Sequence, residues 1–259
     1  MKLKYFLLLI FLNLSFAQNK YDFDQFINEG KDYLTVPLKW QPKDLLLLGL
    51  TVGATFGAMQ FDSDVKQLTQ NGRCESSPIP IVVGRYYGEL VTPLLLSSYF
   101  IINGNSTGNR FQKQLGFEIA QATFYATATT QVIKMILGRE RPARTDDKSN
   151  FTWLSLFDND FWSLPSGHTT VAFAVSTVLS ENSSSDILKI LAFAPAVLTA
   201  YSRVYENRHW LSDVVLGGII GYTTAKYFVK AHKDKEFQEF VAPTPIYSIS
   251  ISLNKLGLK

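Results

Sequence analysis

Three short segments hold the residue types that could move a phosphoryl group. The first runs Lys134-Met-Ile-Leu-Gly-Arg139-Glu-Arg141-Pro142. It sets three cations at the end of a helical stretch, which Pro142 stops. Cations at a helix C-terminus are also ordinary dipole partners, so this segment alone decides nothing. The second is Leu164-Pro165-Ser166-Gly167-His168-Thr169. Ser166 stands where a helix would begin, and free backbone N–H groups there favour an anion. A serine at that place can cap the helix or donate to a phosphate oxygen. His168 beside such a pocket can hand over a proton near neutral pH. The third is Ser202-Arg203-Val-Tyr-Glu-Asn-Arg208-His209-Trp-Leu-Ser-Asp213. His209 and Asp213, four apart, share a face if a helix starts there. A carboxylate on one imidazole nitrogen fixes the tautomer and leaves the other nitrogen free to attack, although a buried His–Asp pair can equally be structural.

Taken together the segments point one way. The chain has three histidines, and His168 and His209 are two of them. Lys134, Arg141 and Arg203 supply charge for a dianionic phosphate, and the planar fork of arginine matches phosphate oxygens. Phosphoryl transfer asks little of a protein beyond positioning and charge neutralisation.

Six apolar segments must bring these residues together. The pattern predicts helices at about 45–61, 84–102, 111–137, 166–179, 187–201 and 209–230, with loops at 62–80, 103–109 and 138–164. Glu118, Gln121, Gln131 and Lys134 make a polar stripe on the third helix, which should face the inside of a bundle. Gly217, Gly218 and Gly221 should let the sixth approach a neighbour closely. Lys2 and Lys4, an apolar run from Tyr5 to Leu14, and small residues at Ser15 and Ala17 read as a secretory signal peptide cleaved after Ala17. The predicted organisation is a leader at 1–17, a polar segment at 18–42, one all-α helical domain at 43–235 and a tail at 236–259. Within that tail Ile249–Leu253 alternates like a strand.

Composition narrows the class. A chain of 259 residues suits one domain. With 46% apolar residues, 18% charged residues and a mean hydropathy of +0.05, it lies between a soluble helical protein and a polytopic membrane protein. A net charge of +3 without a basic, aromatic-rich stripe argues against a nucleic-acid partner. The single cysteine, Cys74, excludes an internal disulfide and a cysteine zinc site.

The three segments resemble the signature of the type 2 phosphatidic acid phosphatase (PAP2) and vanadium haloperoxidase superfamily. Its Lys, six residues, Arg-Pro falls on Lys134 to Pro142, and its Pro-Ser-Gly-His on Pro165 to His168. Its Ser-Arg, five residues, His, three residues, Asp falls on Ser202 to Asp213. The resemblance covers about residues 85–230 and departs at no signature position. It implies a six-helix bundle and a phosphoric ester hydrolase that needs no metal or other cofactor. It implies that His209 is the nucleophile and forms a phosphohistidine, that Asp213 orients it, and that His168 protonates the leaving alcohol. Lys134, Arg141, Ser166, the Gly167 N–H and Arg203 would hold the phosphate oxygens. Arg139 and Arg208 are not signature positions. Lipid phosphatases of this superfamily carry six spanning helices with catalytic loops after the third and fifth, the pattern read above. The expected branch is therefore a membrane-associated enzyme of the cell envelope with its site facing the periplasm. Its expected substrate is a phosphate monoester or diphosphate of a lipid or lipid-linked compound. A soluble periplasmic acid phosphatase, a vanadium haloperoxidase and a catalytically dead binding protein are the alternatives. Topology stays open: after leader removal, three full spans would leave residues 138–164 in the cytoplasm. Either one segment (45–61 foremost) does not span, or the chain lies on the membrane, or the N-terminus is no leader.

Overall fold

A computed structural model describes residues 19–74 and 78–241. The leader expected at 1–17 and the strand expected at 249–253 lie outside these residues. Among the described residues the chain is all-α, with ten α-helices: α1 Phe23–Thr35, α2 Pro42–Gln60, α3 Asp62–Asn71, α4 Ile79–Tyr87, α5 Val91–Thr107, α6 Arg110–Leu137, α7 Gly167–Glu181, α8 Asp186–Leu191, α9 Ala194–Tyr205 and α10 Leu211–Val241. Residues Tyr21–Lys230 form one compact unit, and the described residues outside it belong to a second.

The six expected segments are present, with instructive differences. The polar segment 18–42 holds α1, whose start is capped by Asp22 accepting from the Gln25 N–H at 2.9 Å. Its Tyr33 hydroxyl reaches Thr129 of α6 and Thr224 of α10 at 3.1 and 3.0 Å, so the compact unit begins at Tyr21 rather than residue 43. The expected loop 62–80 holds α3, a polar helix with Asp62 and Asp64 in its first turn. The segment 84–102 is two helices, broken at Gly88. A Cβ at Gly88 would lie 2.5 Å from Thr199 Cγ2 and 2.7 Å from the His168 carbonyl oxygen. The break thus lets the end of α4 press against the first turn of α7. The segment 187–201 is likewise α8 and α9, separated just before Pro195, whose ring suits the first turn of a new helix. Finally α10 continues to Val241, into the expected tail.

Helices α6, α7 and α10 build the core. Ile119, Ala122 and Ala126 of α6 meet Ala174, Val175 and Val178 of α7 and Ala225 and Val229 of α10. The stripe of α6 turns inward as expected at Glu118, Gln121 and Lys134, all buried, while Gln131 is half-buried. Glu118 accepts from Gln114 and Asn182 at 3.0 and 2.6 Å, and Gln121 donates to Glu29 of α1 at 2.9 Å. Helix α2 is different: only Thr55 and Met59 are buried, and Leu45 to Leu48, Leu50, Val52 and Phe56 are exposed.

Candidate active site

The three motif segments arrive at one cavity from three directions. Helix α6 ends at Leu137 with Gly138 in a left-handed conformation, its N–H returning to the Lys134 carbonyl at 2.9 Å. That turn aims Lys134 and Arg141 at the cavity. Helix α7 opens with Ser166 as its N-cap. Helices α9 and α10 are joined by a short turn that carries Arg208 and His209. The cavity, about 370 Å³, is lined by Lys134, Arg141, Gly167, His168, Arg203 and His209, together with Arg85, Asn159, Asp160, Glu206 and Arg208.

Six of the eight residues read from the sequence therefore line one space. The other two sit behind it. Asp213 is fully buried beneath His209, as an orienting carboxylate would be. Ser166 is also fully buried, and its Oγ accepts from the Thr169 N–H at 3.5 Å and the Thr169 hydroxyl at 3.0 Å. Of the two roles open to Ser166, the structure shows the helix cap, with the side chain outside the cavity lining.

The His209 imidazole is held more tightly than its spacing to Asp213 suggested. Its Nδ1 lies 2.9 Å from the Ser163 carbonyl oxygen and 3.5 Å from Asp213 Oδ2. A carbonyl only accepts, so Nδ1 carries the proton and Nε2 keeps its lone pair for the cavity. The carbonyl thus sets the tautomer, and Asp213 adds charge from slightly farther away. Asp213 is itself anchored: Oδ2 accepts from the Ser163 hydroxyl at 2.5 Å and the Trp210 N–H at 2.8 Å, and Oδ1 from Arg139 at 2.7 Å. The Trp210 bond reaches back across the first turn of α10, as a capping-box carboxylate does.

Burial and like charges shape the titration. Burial pushes the His209 imidazole down to about 3; Asp213 opposes this, and the Lys134 and Arg141 charges add to it. His168 is driven down to about 4 by burial and by Arg203, Lys134, Arg141 and Arg85. Burial alone would raise Asp213, but His209, Arg139 and Ser163 outweigh it and hold the carboxyl at about 2. Lys134 is lowered to about 7 by burial and the Arg141 charge, against the pull of Asp213. It donates to the Trp162 carbonyl at 2.6 Å. The cavity thus sets an excess of positive charge around two neutral imidazoles, an environment that favours an anion.

Several residues at the site were not singled out by the motifs. Ser163 binds His209 through its carbonyl and Asp213 through its hydroxyl, and its only sequence signal is its place two residues before Pro165. Arg85, one turn before the α4 break, pairs with Glu206 at 3.3 Å, and Glu206 also pairs with Arg203. Arg208 lines the cavity, and its backbone carbonyl accepts from Arg141 at 3.2 Å. Asn159 holds the other side of Arg141, its carbonyl and side-chain oxygens each 3.0 Å away. Arg139, read as a dipole partner, is fully buried against Asp213.

Comparison with known proteins agrees with this architecture. Residues 116–237 match the PAP2 superfamily. The chain is 43% identical over 61 residues to a lipid A 1-phosphatase of Porphyromonas gingivalis, covering 23% of this chain and 14% of that protein. It is 31% identical over 111 residues to an undecaprenyl-diphosphatase of Sulfolobus acidocaldarius, covering 42% of this chain and 51% of that one. It thus spans about half or less of these curated relatives. The crystal structure of Aquifex aeolicus LpxE superposes with a TM-score of 0.53 at 25% identity, over 66% of this chain and 95% of that one. A transmembrane PAP2-type phosphatidylglycerolphosphate phosphatase from Bacillus subtilis shares the fold, with a TM-score of 0.51 at 17% identity over 75% of this chain and 96% of the other. The PAP2 match falls on α6 to α10, the helices that surround the site.

Proposed function

We propose that this protein is a membrane-associated phosphatase that removes phosphate from a lipid or lipid-linked monoester or diphosphate through a phosphohistidine. The observation that carries the reading is the placement of His209. Its Nδ1 is committed to Ser163 and Asp213, while the ring borders a cavity shared with Lys134, Arg141, Arg203 and His168.

In this mechanism the phosphate sits among Lys134, Arg141, Arg203 and the free N–H groups that begin α7. The His209 Nε2 lone pair attacks phosphorus, the P–N bond forms and the P–O bond to the leaving group breaks. The developing positive charge on the ring is stabilised by Asp213. His168 gives its proton to the departing oxygen. It then takes a proton from a water whose oxygen attacks phosphorus, the P–N bond breaks, and inorganic phosphate leaves. Burial and the surrounding cations hold the His168 pKa down, and a bound dianion offsets those charges and favours the protonated form. No metal takes part in any step of this reading.

The apolar surface supports the membrane and lipid part. The stretch Asp186–Tyr205 has the length and hydropathy of a span, and only 28% of it is buried. A soluble core helix would be mostly buried. Helices α2 and α3 pass the same test as a pair bent by 49°. Leu94, Leu95, Tyr99 and Ile102 of α5 add to this exposed surface. The relatives with lipid A and undecaprenyl diphosphate in their names fit such substrates. In this reading the site belongs to the cell envelope and faces the periplasm.

The test is phosphate release from a panel of lipid and water-soluble phosphates by detergent-solubilised protein beside His209→Ala. Release from lipid phosphates by the parent and none by the variant is expected. Equal activity in the two would refute the mechanism. Activity confined to water-soluble esters, with extraction that needs no detergent, would favour the soluble acid phosphatase.

A further inference from the structure

We infer that Asp62 and Arg139 are positioning residues for the His209–Asp213 pair, so that α3 sets the geometry of the nucleophile. This rests on the phosphohistidine reading above. Arg139 has no exposed side-chain surface and lies between two equally buried carboxylates. Its Nη1 donates to Asp213 Oδ1 and its Nη2 to Asp62 Oδ2, each at 2.7 Å. The remaining donors go to the Lys148 carbonyl, at 3.1 Å from Nε and 2.6 Å from Nη2, and to Ser212 Oγ at 2.7 Å. Asp62 also holds the start of α10 from another helix. Its Oδ1 accepts the Ser212 backbone N–H at 2.9 Å and its Oδ2 the Ser212 hydroxyl at 2.7 Å. That N–H is one of those a helix leaves unpaired in its first turn. The turn it fixes carries Asp213, and His209 immediately precedes it.

The arrangement has a consequence beyond holding the fold together. Arg139 is shared. With Asp62 ionised, the guanidinium divides its attraction between two carboxylates, and Asp213 keeps charge to offer His209. With Asp62 neutral, Arg139 has one anionic partner and draws Asp213 toward itself, away from a histidine that is already at 3.5 Å. Buried carboxylate–arginine contacts also cost desolvation that a structural core could avoid with apolar side chains. Neither residue lines the cavity, so both act through Asp213.

The experiment is a double-mutant cycle on the full, detergent-solubilised chain, with a water-soluble aryl phosphate as substrate. Asp62→Asn keeps the shape and removes the charge. It should lower kcat about tenfold with KM within about twofold of the parent, and should cost less than about twofold when Asp213→Asn is already present. The same fold loss in both backgrounds, a change in KM alone, or no loss would overturn the inference, since a merely structural contribution multiplies through. If Asp62→Asn has no folding transition, Arg139→Lys carries the same comparison, because it keeps the charge but loses the fork between the carboxylates. His209→Ala run in parallel separates the two layers. If it stays active, the phosphohistidine reading fails and this inference with it. If it is inactive while Asp62→Asn is untouched, only the inference fails.

Discussion

Two neighbouring glycines of α10 should respond in opposite ways to the same methyl group. A Cβ at Gly217 would stand 2.5 Å from the Ser166 carbonyl oxygen and 3.3 Å from the Ser166 backbone nitrogen and carbon. Ordinary contact begins near 3.4 Å, so α10 and the start of α7 must part by about 0.9 Å. Both neighbours are backbone, and neither can rotate away. Ser166 N–H donates to the Asp213 carbonyl at 2.9 Å, so the displaced strut ties the α7 N-terminus to the His209–Asp213 turn. Overpacking of this kind costs about 1–3 kcal/mol. A misplacement of about 1 Å among reacting groups can cost about a hundredfold in rate. At Gly218 the three atoms nearest the added Cβ all belong to the Phe173 ring, at 3.5 Å, which is ordinary contact. There the higher helix propensity of alanine contributes about 1 kcal/mol of stabilisation. Chemical denaturation and kcat on a soluble phosphate ester measure both effects. Gly217→Ala should lose stability and turnover, while Gly218→Ala keeps turnover and gains stability slightly. Equal behaviour of the two variants would refute the packing argument.

Replacing the proposed nucleophile should be the most damaging change: His209→Ala should lower kcat by about a thousandfold or more, read as phosphate release against the parent. His168→Ala should hurt substrates with poor leaving groups most, so a plot of log kcat against leaving-group pKa should steepen relative to the parent. Acid should destabilise the fold through both imidazoles. Their folded pKa values, about 4 for His168 and about 3 for His209, lie below the usual 6.5. The stability they contribute is complete above about 6.5 and is lost as pH falls through those values. The melting temperature should drop across that range, and inorganic phosphate should raise it if the cavity holds it as proposed. A flat melting temperature from pH 7 to 4 would contradict the burial of both rings. Turnover should survive a strong chelator, measured as phosphate release before and after treatment.

How much was legible depends on whether the signal is local. The 111–137 helix matches α6 within a residue because its apolar period and polar stripe are long and its end is marked by Gly138 and Pro142. Ser166 as a helix cap was equally readable, since capping is settled within four residues. Helix α3 was hidden because DSDVKQLTQN, polar except for Val65 and Leu68, looks like loop. The break before Pro195 was hidden because its flanking residues are uniformly apolar, and the one at Gly88 because apolar residues resume past Arg85 and Glu89 and run on to Ile102; only the closeness of His168 and Thr199 explains it.

By itself the sequence determined which side chains could carry out the chemistry, because motif spacing and helix period operate within a few residues of chain. It named Lys134, Arg141, Ser166, Gly167, His168, Arg203 and His209 as one group, and Asp213 as their support; the structure sets Ser166 behind the cavity lining. Tertiary structure alone decided what surrounds them. Ser163 sets the tautomer of His209, Arg85 and Glu206 join the cavity, and Asp62 meets Arg139 across 77 positions of chain. Such partners share no motif with the residues they hold. They are selected by distance and by the cost of leaving a buried charge unpaired, and both appear only once the helices are packed.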